Sequence, residues 1–214
     1  MNRSETAILL IRHGETLWNR SGRVQGWGDS PLTEVGIAQA RALAERLAGD
    51  PVERLISSDL GRARETAAPI ADRLGIAIEL DPDLRERHYG VLEGRTRGEI
   101  ERDHPEAYAF LARRDPGYVI PGGESGEGFY ARALRALERV AAAHAGSRIA
   151  VVTHGGVLSV LYRHAAKVAP GSQLGHLPVN ASVNHVRFGS GRWVIEHWGD
   201  VAHLPQDAAD ARFD

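Results

Sequence analysis

The chain has 214 residues, of which 43% are hydrophobic and 25% are charged, and its formal net charge is −2. This composition predicts a folded chain with a sizeable core, and the small net charge argues against general binding to nucleic acids or anionic membranes. The lack of cysteine excludes disulfides, thiolate nucleophiles and cysteine zinc sites. The apolar run at residues 7–11 is too short to span a bilayer, so we expect a cytoplasmic protein.

Predicted strands and helices alternate along the chain. Apolar runs predict buried strands at residues 7–11, 55–56, 76–80 and 149–152. Apolar residues at helical spacing predict three longer helices, after Thr33 (with Ile37 on its apolar stripe), from Leu60 to Gly75 and from Phe129 to Gly146. Residues 183–188 and 193–198 predict a closing hairpin. This order predicts a three-layer α/β sandwich with a mainly parallel central sheet and helices on both faces.

The predicted domain organisation is simple. Residues 1–204 are expected to form one catalytic domain, and residues 205–214 a polar C-terminal tail. Residues 85–123 interrupt the alternation with charged helical pieces and Pro-Gly loops. We therefore expect an insertion there that lies over the active site.

Polar side chains follow three of the predicted strands. Arg12 and His13 follow the first strand, Ser57 and Ser58 the second, and His154 the strand at residues 149–152. Ligands of open α/β sheets bind at the carboxyl ends of the strands, so these residues should converge on one pocket. Arginines and helix N-termini match phosphate oxygens, and a histidine among cations stays neutral and nucleophilic. The pattern predicts a phosphoryl-transfer site.

Five motifs occur in an order that resembles the histidine phosphatase superfamily, the phosphoglycerate-mutase-like proteins, over roughly residues 6–200. They are RHGET at 12–16 with Trp18-Asn19, QGW at 25–27 with DSPLT at 29–33, SSDLGRA at 57–63 with Thr66-Ala67, RERHYG at 85–90 and THGG at 153–156. The resemblance implies that His13 is phosphorylated during turnover and that Glu86 is the proton donor. It also implies that the phosphoryl oxygens are held by Arg12, Arg62 and His154, with help from Asn19.

Further substrate-binding candidates come from their positions in the motifs or near them. They are Gln25, Gly155, Tyr89, Arg97 and Glu124. Structural alternatives stay open for several candidates: Asn19 and Gln25 could stabilise a turn, Glu86 could belong to a charged surface loop, and Glu124 could start a helix.

The preferred function is hydrolysis of phosphomonoesters through a phosphohistidine. The alternative is a 2,3-bisphosphoglycerate-dependent phosphoglycerate mutase, in which Tyr89, Arg97 and Arg113-Arg114 would grip the substrate carboxylate. Against the mutase, residues 156–158 read Gly-Val-Leu where mutases have Gly-Asn-Ser, and residues 121–125 resemble the phosphatase branch. A non-catalytic phospho-ligand module is disfavoured, since binding alone requires neither a nucleophile nor an acid.

Cofactor and partner expectations follow from the same residues. The histidines show no metal-ligand spacing, so no metal is expected, and 2,3-bisphosphoglycerate would be needed only as a primer for a mutase. The expected partner is a phosphorylated small molecule, without nucleic acid or membrane. The hairpin leaves a sheet edge that would allow a homodimer.

Overall fold

The computed structural model describes residues 5–169, 172 and 178–205. The predicted polar tail at residues 205–214 therefore lies outside the described residues except for residue 205. None of the helices within these ranges is long and apolar enough to cross a membrane.

A six-stranded sheet forms the centre of the molecule. Its strands are β1 (Thr6–Arg12), β2 (Arg54–Ser57), β3 (Ile78–Leu80), β4 (Arg148–Thr153), β5 (Val183–Gly189) and β6 (Arg192–Asp200). The order across the sheet is β3-β2-β4-β1-β5-β6, in which the first four strands are parallel and the last two form an antiparallel hairpin. The predicted mainly parallel sheet and closing hairpin agree with this arrangement.

Seven α-helices lie within the described ranges. They are α1 (Leu17–Arg20), α2 (Glu34–Leu47), α3 (Gly61–Leu74), α4 (Arg97–Asp103), α5 (Pro105–Ala112), α6 (Gly126–Ala143) and α7 (Gly155–Ala165). Two 3₁₀ turns, Pro82–Leu84 and Gly90–Leu92, separate β3 from α4. The short α1 and the whole of α7 were not among the predicted elements.

The alternation of side chains along each strand divides the core into two layers. On β1, Leu9 and Ile11 pack with the buried faces of α2 and α3. Ile8 and Leu10, one residue out of phase, pack with α6 and α7 on the opposite face. Helices therefore cover both faces of the sheet, which confirms the predicted three-layer class.

Local signals explain where α2 begins and where α3 ends. The Thr33 side chain accepts a hydrogen bond from the Gly36 N–H at 3.0 Å, and Gly75 ends α3 with a φ of 66°. The turn at the end of α3 includes Ile76, whose N–H bonds the carbonyl oxygen of Ala71, so β3 starts later than predicted.

The prediction that Ile37 lies on the buried stripe of α2 is wrong. Its side chain is 43% exposed, whereas Gly36, Leu43 and Leu47 face the core. A residue advances about 100° around a helix, so Ile37 lies at the margin of a stripe centred on Gly36.

The segment predicted as an insertion has a small apolar core of its own. Leu92, Ile100, Ala107 and Ile120 are buried together between α4, α5 and the flanking loops. Two backbone hydrogen bonds attach the segment to the loop that follows β1. The Val24 N–H donates to the carbonyl oxygen of Arg95 (2.9 Å), and the Gly94 N–H donates to the carbonyl oxygen of Val24 (2.8 Å). The segment is thereby attached to the loop that follows Arg12 and His13.

Candidate active site

Three parallel strands deliver polar residues to one edge of the sheet. His13, Ser58 and His154 directly follow β1, β2 and β4, which are neighbours in the sheet. The ring centroids of the two histidines are 5.3 Å apart, and His154 Nε2 lies 2.8 Å from the Ser58 hydroxyl. Residues that are distant in the chain are thus brought together as the strand-end rule predicts.

The hydrogen bonds of His13 identify its tautomer. Nδ1 lies 2.8 Å from the carbonyl oxygen of Gly14, which only accepts, so Nδ1 carries the proton. Nε2 lies 3.3 Å from Nε of Arg62, which only donates, so Nε2 holds the lone pair. Burial, together with the charges of Arg62 and Arg12, keeps the pKa of His13 well below its usual value. A neutral imidazole with an available lone pair is a nucleophile.

Arg62 is a buried cation fixed by backbone carbonyls. Its side chain is 1% exposed, and its two terminal nitrogens donate to the carbonyl oxygens of Gly26 (2.8 Å) and Gly28 (3.0 Å). Arg64, two residues further along α3, is exposed. The buried guanidinium on this part of α3 is therefore that of Arg62, whereas Arg64 faces solvent.

Arg12 and His154 complete the positive side of the cluster. Arg12 donates from Nη1 to the carbonyl oxygen of Pro178 at 2.6 Å, and desolvation lowers its pKa to about 10, so it stays cationic at neutral pH. Burial is also the largest cause that lowers the pKa of His154, followed by Arg62. Arg12 Nε and His154 Nδ1 are buried and have no hydrogen-bond partner among the described residues. Two buried nitrogens are thus available for ligand oxygens.

Helix α7 begins directly after His154. Its first residue, Gly155, lies in van der Waals contact with Arg12. A Cβ atom built at position 155 would be 3.4 Å from Arg12 Nε. The N-terminus of this eleven-residue helix adds backbone N–H groups and a positive dipole end to the cluster. The arrangement suits an anion with several oxygens.

Glu86 is the acidic member of the cluster. Its Oε1 accepts from the N–H of Arg87 and its Oε2 from the N–H of Gly156, each at 2.8 Å. A Cβ atom at position 156 would lie 1.9 Å from Oε1, so only glycine permits this close approach. The charge of Glu86 raises the pKa of Arg12 and Arg62 and so opposes the effect of burial on both guanidinium groups.

Asn19 and Gln25 both bond Thr16. Asn19 Oδ1 accepts from the Thr16 N–H and from Asn180 Nδ2, which also donates to the carbonyl oxygen of His13 at 2.9 Å. Gln25 is buried and accepts from the Thr16 hydroxyl at 2.9 Å. Asn180 thus links the Asn19 side chain to the His13 backbone. The Asn19 side chain also completes the capping box of α1, whose N-cap is Thr16, whereas Gln25 supports the same loop from within.

Tyr89 and Glu124 lie on the Glu86 side of the cluster. Burial and the nearby carboxylate of Glu86 raise the pKa of Tyr89 to about 12, so its hydroxyl stays protonated. Glu124 accepts from Arg132 Nη2 at 2.6 Å and from the N–H of His88 at 2.9 Å. The expectation that this stretch starts a helix also agrees with the structure, because the neighbouring Ser125 caps α6.

Arg97 lies further out, on the insertion. Its guanidinium is exposed and donates to the Tyr108 hydroxyl at 3.1 and 3.2 Å. It lines a cavity of about 470 Å³ whose wall also includes Asn19, Trp18 and Arg114. Two of the predicted substrate-binding residues, Arg97 and Asn19, therefore line the same cavity.

Four residues that support the cluster were not predicted as site residues. Thr66 accepts from the N–H of Gly14, Trp27 donates to the carbonyl oxygen of Glu86, Asn180 bonds the His13 backbone, and Arg132 bonds Glu124. Thr66 and Trp27 lie within recognisable motifs, which was a usable signal. Asn180 and Arg132 carry no local signal, because their partners are remote in the sequence.

Within residues 5–169, 172 and 178–205, no three His, Asp or Glu side chains are grouped so that they could hold a metal ion. The positive charges of the cluster come instead from arginine side chains.

Comparison with known proteins agrees with this geometry. Residues 8–201 match the profile of the histidine phosphatase superfamily (branch 1). A metal-independent phosphoserine phosphatase of Arabidopsis thaliana is 45% identical over 203 residues, which cover 93% of this chain and 83% of the relative. A probable phosphoglycerate mutase GpmB of Yersinia pestis is 38% identical over 209 residues, covering 95% and 97% of the two chains.

A solved structure supports the same assignment. The mycobacterial glucosyl-3-phosphoglycerate phosphatase in complex with VO3 is 31% identical, covers 90% of this chain and 98% of its own, and superposes with a TM-score of 0.76. The profile match over residues 8–201 and these identities show the family. The chain belongs to the histidine phosphatase superfamily and is an enzyme of phosphoryl transfer.

Proposed function

We propose that the protein hydrolyses phosphomonoesters through a phosphohistidine formed on His13. The observation that carries the proposal is the lone pair of His13 Nε2, which is buried beside Arg62 and within 5.3 Å, between ring centroids, of His154. A loose phosphoryl transition state requires in-line placement and positive charge, and Arg12 and Arg62 provide the positive charge beside the Nε2 lone pair.

In the first step, His13 Nε2 attacks phosphorus and the bond from phosphorus to the ester oxygen breaks. Arg12, Arg62 and His154 hold the phosphoryl oxygens, with the α7 N-terminus beside them. A protonated Glu86 gives its proton to the departing alkoxide, so the alcohol leaves neutral. The backbone N–H groups of Gly156 and Arg87 fix the position of the Glu86 carboxyl group in the cluster.

In the second step, the Glu86 carboxylate takes a proton from water while the water oxygen attacks phosphorus. The bond from phosphorus to Nε2 breaks, inorganic phosphate is formed, and His13 regains its lone pair. If another alcohol replaced water, the same two steps would give a mutase. We prefer water because residues 156–158 lack the Gly-Asn-Ser sequence of the mutases.

We propose that the substrate carries a second anionic group. Arg97 and Arg114 line the 470 Å³ cavity that also includes Asn19, so a carboxylate could bind there while phosphate binds at His13. Two relatives are named for phosphoserine and for glucosyl-3-phosphoglycerate, which both contain a carboxylate. Arg97→Met should raise KM for such esters by about tenfold and leave KM for p-nitrophenyl phosphate unchanged.

The proposal includes a reaction without a metal, since one relative is named metal-independent and arginines supply the positive charge here. It also includes a cytoplasmic location, where phosphorylated metabolites occur. A homodimer through the β6 edge is proposed as well, and light scattering would test it. A need for 2,3-bisphosphoglycerate is expected only of a mutase.

Trapping the intermediate tests the proposal. Phosphoserine labelled with ³²P should give an acid-labile, base-stable label on the wild-type protein and none on His13→Ala. In water enriched with ¹⁸O, each phosphate released should contain one ¹⁸O atom. Wild-type turnover by His13→Ala would contradict the proposal. Isomerisation of 3-phosphoglycerate faster than its hydrolysis, in the presence of 2,3-bisphosphoglycerate, would replace the hydrolase by the mutase.

A further inference from the structure

One arginine outside all the motifs bonds the backbone on which Glu86 is carried. Arg132, on α6, donates from Nη1 to the carbonyl oxygens of Asp83 (2.8 Å) and Arg85 (3.0 Å), and from Nη2 to that of Glu86 (3.1 Å). Its side chain is only 16% exposed. A single guanidinium thus holds three carbonyls within four consecutive residues.

Glu124 closes this arrangement from the other side. Arg132 donates to both of its carboxylate oxygens, at 2.6 and 3.4 Å. The oxygen at 2.6 Å also accepts from the N–H of His88, two residues after Glu86. Arg132 therefore bonds the backbone up to Glu86 directly and the backbone after Glu86 through Glu124.

Trp27 fixes the same peptide group from a third direction. Its indole N–H donates to the Glu86 carbonyl oxygen at 2.8 Å, and its ring stacks on His88 with centroids 4.4 Å apart. The Arg132 guanidinium lies 5.9 Å from the centroid of the Trp27 ring, within range of a cation–π interaction. Hydrogen bonds from both Arg132 and Trp27 therefore fix the carbonyl group of Glu86, while its carboxyl group accepts from the N–H of Gly156.

We propose that Arg132 is a positioning residue that sets the place of Glu86 in the reaction. The inference rests on the proposed role of Glu86 as proton donor. A misplacement of about 1 Å can lower a rate by about a hundredfold. Lysine cannot replace the arginine, because one ammonium group cannot reach the three carbonyls and the carboxylate in the fixed geometry of a guanidinium fork.

The dependence on the leaving group distinguishes positioning from a general structural role. An alkyl phosphate such as phosphoserine needs a proton on its departing oxygen, whereas p-nitrophenolate leaves without one. Arg132→Lys and Arg132→Met should lower kcat/KM for phosphoserine by about thirtyfold or more, and for p-nitrophenyl phosphate by less than about threefold. Arg132→Lys retains the positive charge, so it separates positioning from electrostatic attraction of the substrate.

The chain offers a matched control on the same helix. Arg135 is exposed, lies one turn further along α6, and makes no hydrogen bond or ion pair with the Glu86 loop within the described part of the chain. Arg135→Met should change neither ester by more than about twofold. Thermal unfolding of each variant shows whether it folds, and Arg132→Lys is the variant to use if Arg132→Met does not.

A double-mutant comparison completes the test. Glu86→Gln should likewise lower kcat/KM much more for phosphoserine than for p-nitrophenyl phosphate. Adding Arg132→Lys to Glu86→Gln should lower kcat/KM for phosphoserine by a further factor of less than about three. Equal losses on both esters, or fully additive losses, would overturn the role of Arg132 and leave the proton donor intact. If Glu86→Gln shows no leaving-group preference, the proton-donor assignment fails, and the inference fails with it.

Discussion

Two buried histidines make the stability of this fold sensitive to acid. His13 and His154 are 3% and 0% exposed, and burial together with Arg62 holds the pKa of each ring well below its usual value of 6.5. In the unfolded chain both rings regain an ordinary pKa. Below pH 6.5 the unfolded chain therefore binds more protons than the folded chain, so the free energy of unfolding falls as the pH falls toward the lowered folded-state pKa values.

The size of the effect follows from counting these protons. While the rings stay neutral in the folded state, lowering the pH from 7 to 5 costs about 2 kcal/mol of folding stability per ring, or about 4 kcal/mol for the pair. A domain of this kind is stable by roughly 5–15 kcal/mol in total, so the loss is large enough to measure.

Urea unfolding at pH 7 and pH 5, in buffers without phosphate, measures this loss for the wild type, His13→Gln, His154→Gln and the double variant. Each single variant should lose about half of the site's pH effect. His185 and His203, whose pKa values are also lowered by burial, are retained in all four proteins, so their contributions cancel. If the double variant loses as much stability as the wild type between these pH values, the reasoning is refuted.

Three further predictions use other contacts. Arg62→Met should lower kcat/KM by about a hundredfold or more through loss of a preorganised cation, and Arg64→Met, on the exposed face, should leave it within about twofold; equal effects would contradict this. Gly156→Ala should displace the Glu86 carboxyl group and lower phosphoserine turnover by about tenfold, with unchanged affinity for inorganic phosphate in calorimetry. Thr33→Ala removes the cap of α2 and the hydrogen bond from the Thr33 hydroxyl to Glu15 Oε1 (2.6 Å), and it should destabilise the fold by about 1 kcal/mol or more in urea unfolding; an unchanged unfolding midpoint would contradict this.

Much of the fold could be read from short stretches of sequence, because the forces involved are local. An apolar run predicts a strand covered on both faces, Thr33 supplies a side-chain acceptor to a helix N-terminus, and Gly75 tolerates a left-handed backbone. The exposure of Ile37 could not be predicted in this way, since helical spacing gives an angle around α2 and not the width of the surface that covers the helix.

Part of the candidate site was also predictable. Parallel strands place their carboxyl ends at the same edge, so His13 and His154 were expected at that edge. The pairing of β1 with β4, which brings the two ring centroids within 5.3 Å, was seen only in the structure. The contribution of Arg132 could not be predicted, because its carbonyl partners lie about 46 to 49 residues away and offer no side-chain pattern.

The sequence by itself therefore determined the alternation of strands and helices, the family motifs and the residue types that gather at the strand ends. Only the tertiary structure decided which nitrogen of His13 holds the lone pair, which arginine is buried, and how the Glu86 carboxyl group is held. The physical reason is that tautomer, pKa and orientation depend on burial and on hydrogen bonds between segments that meet only after folding.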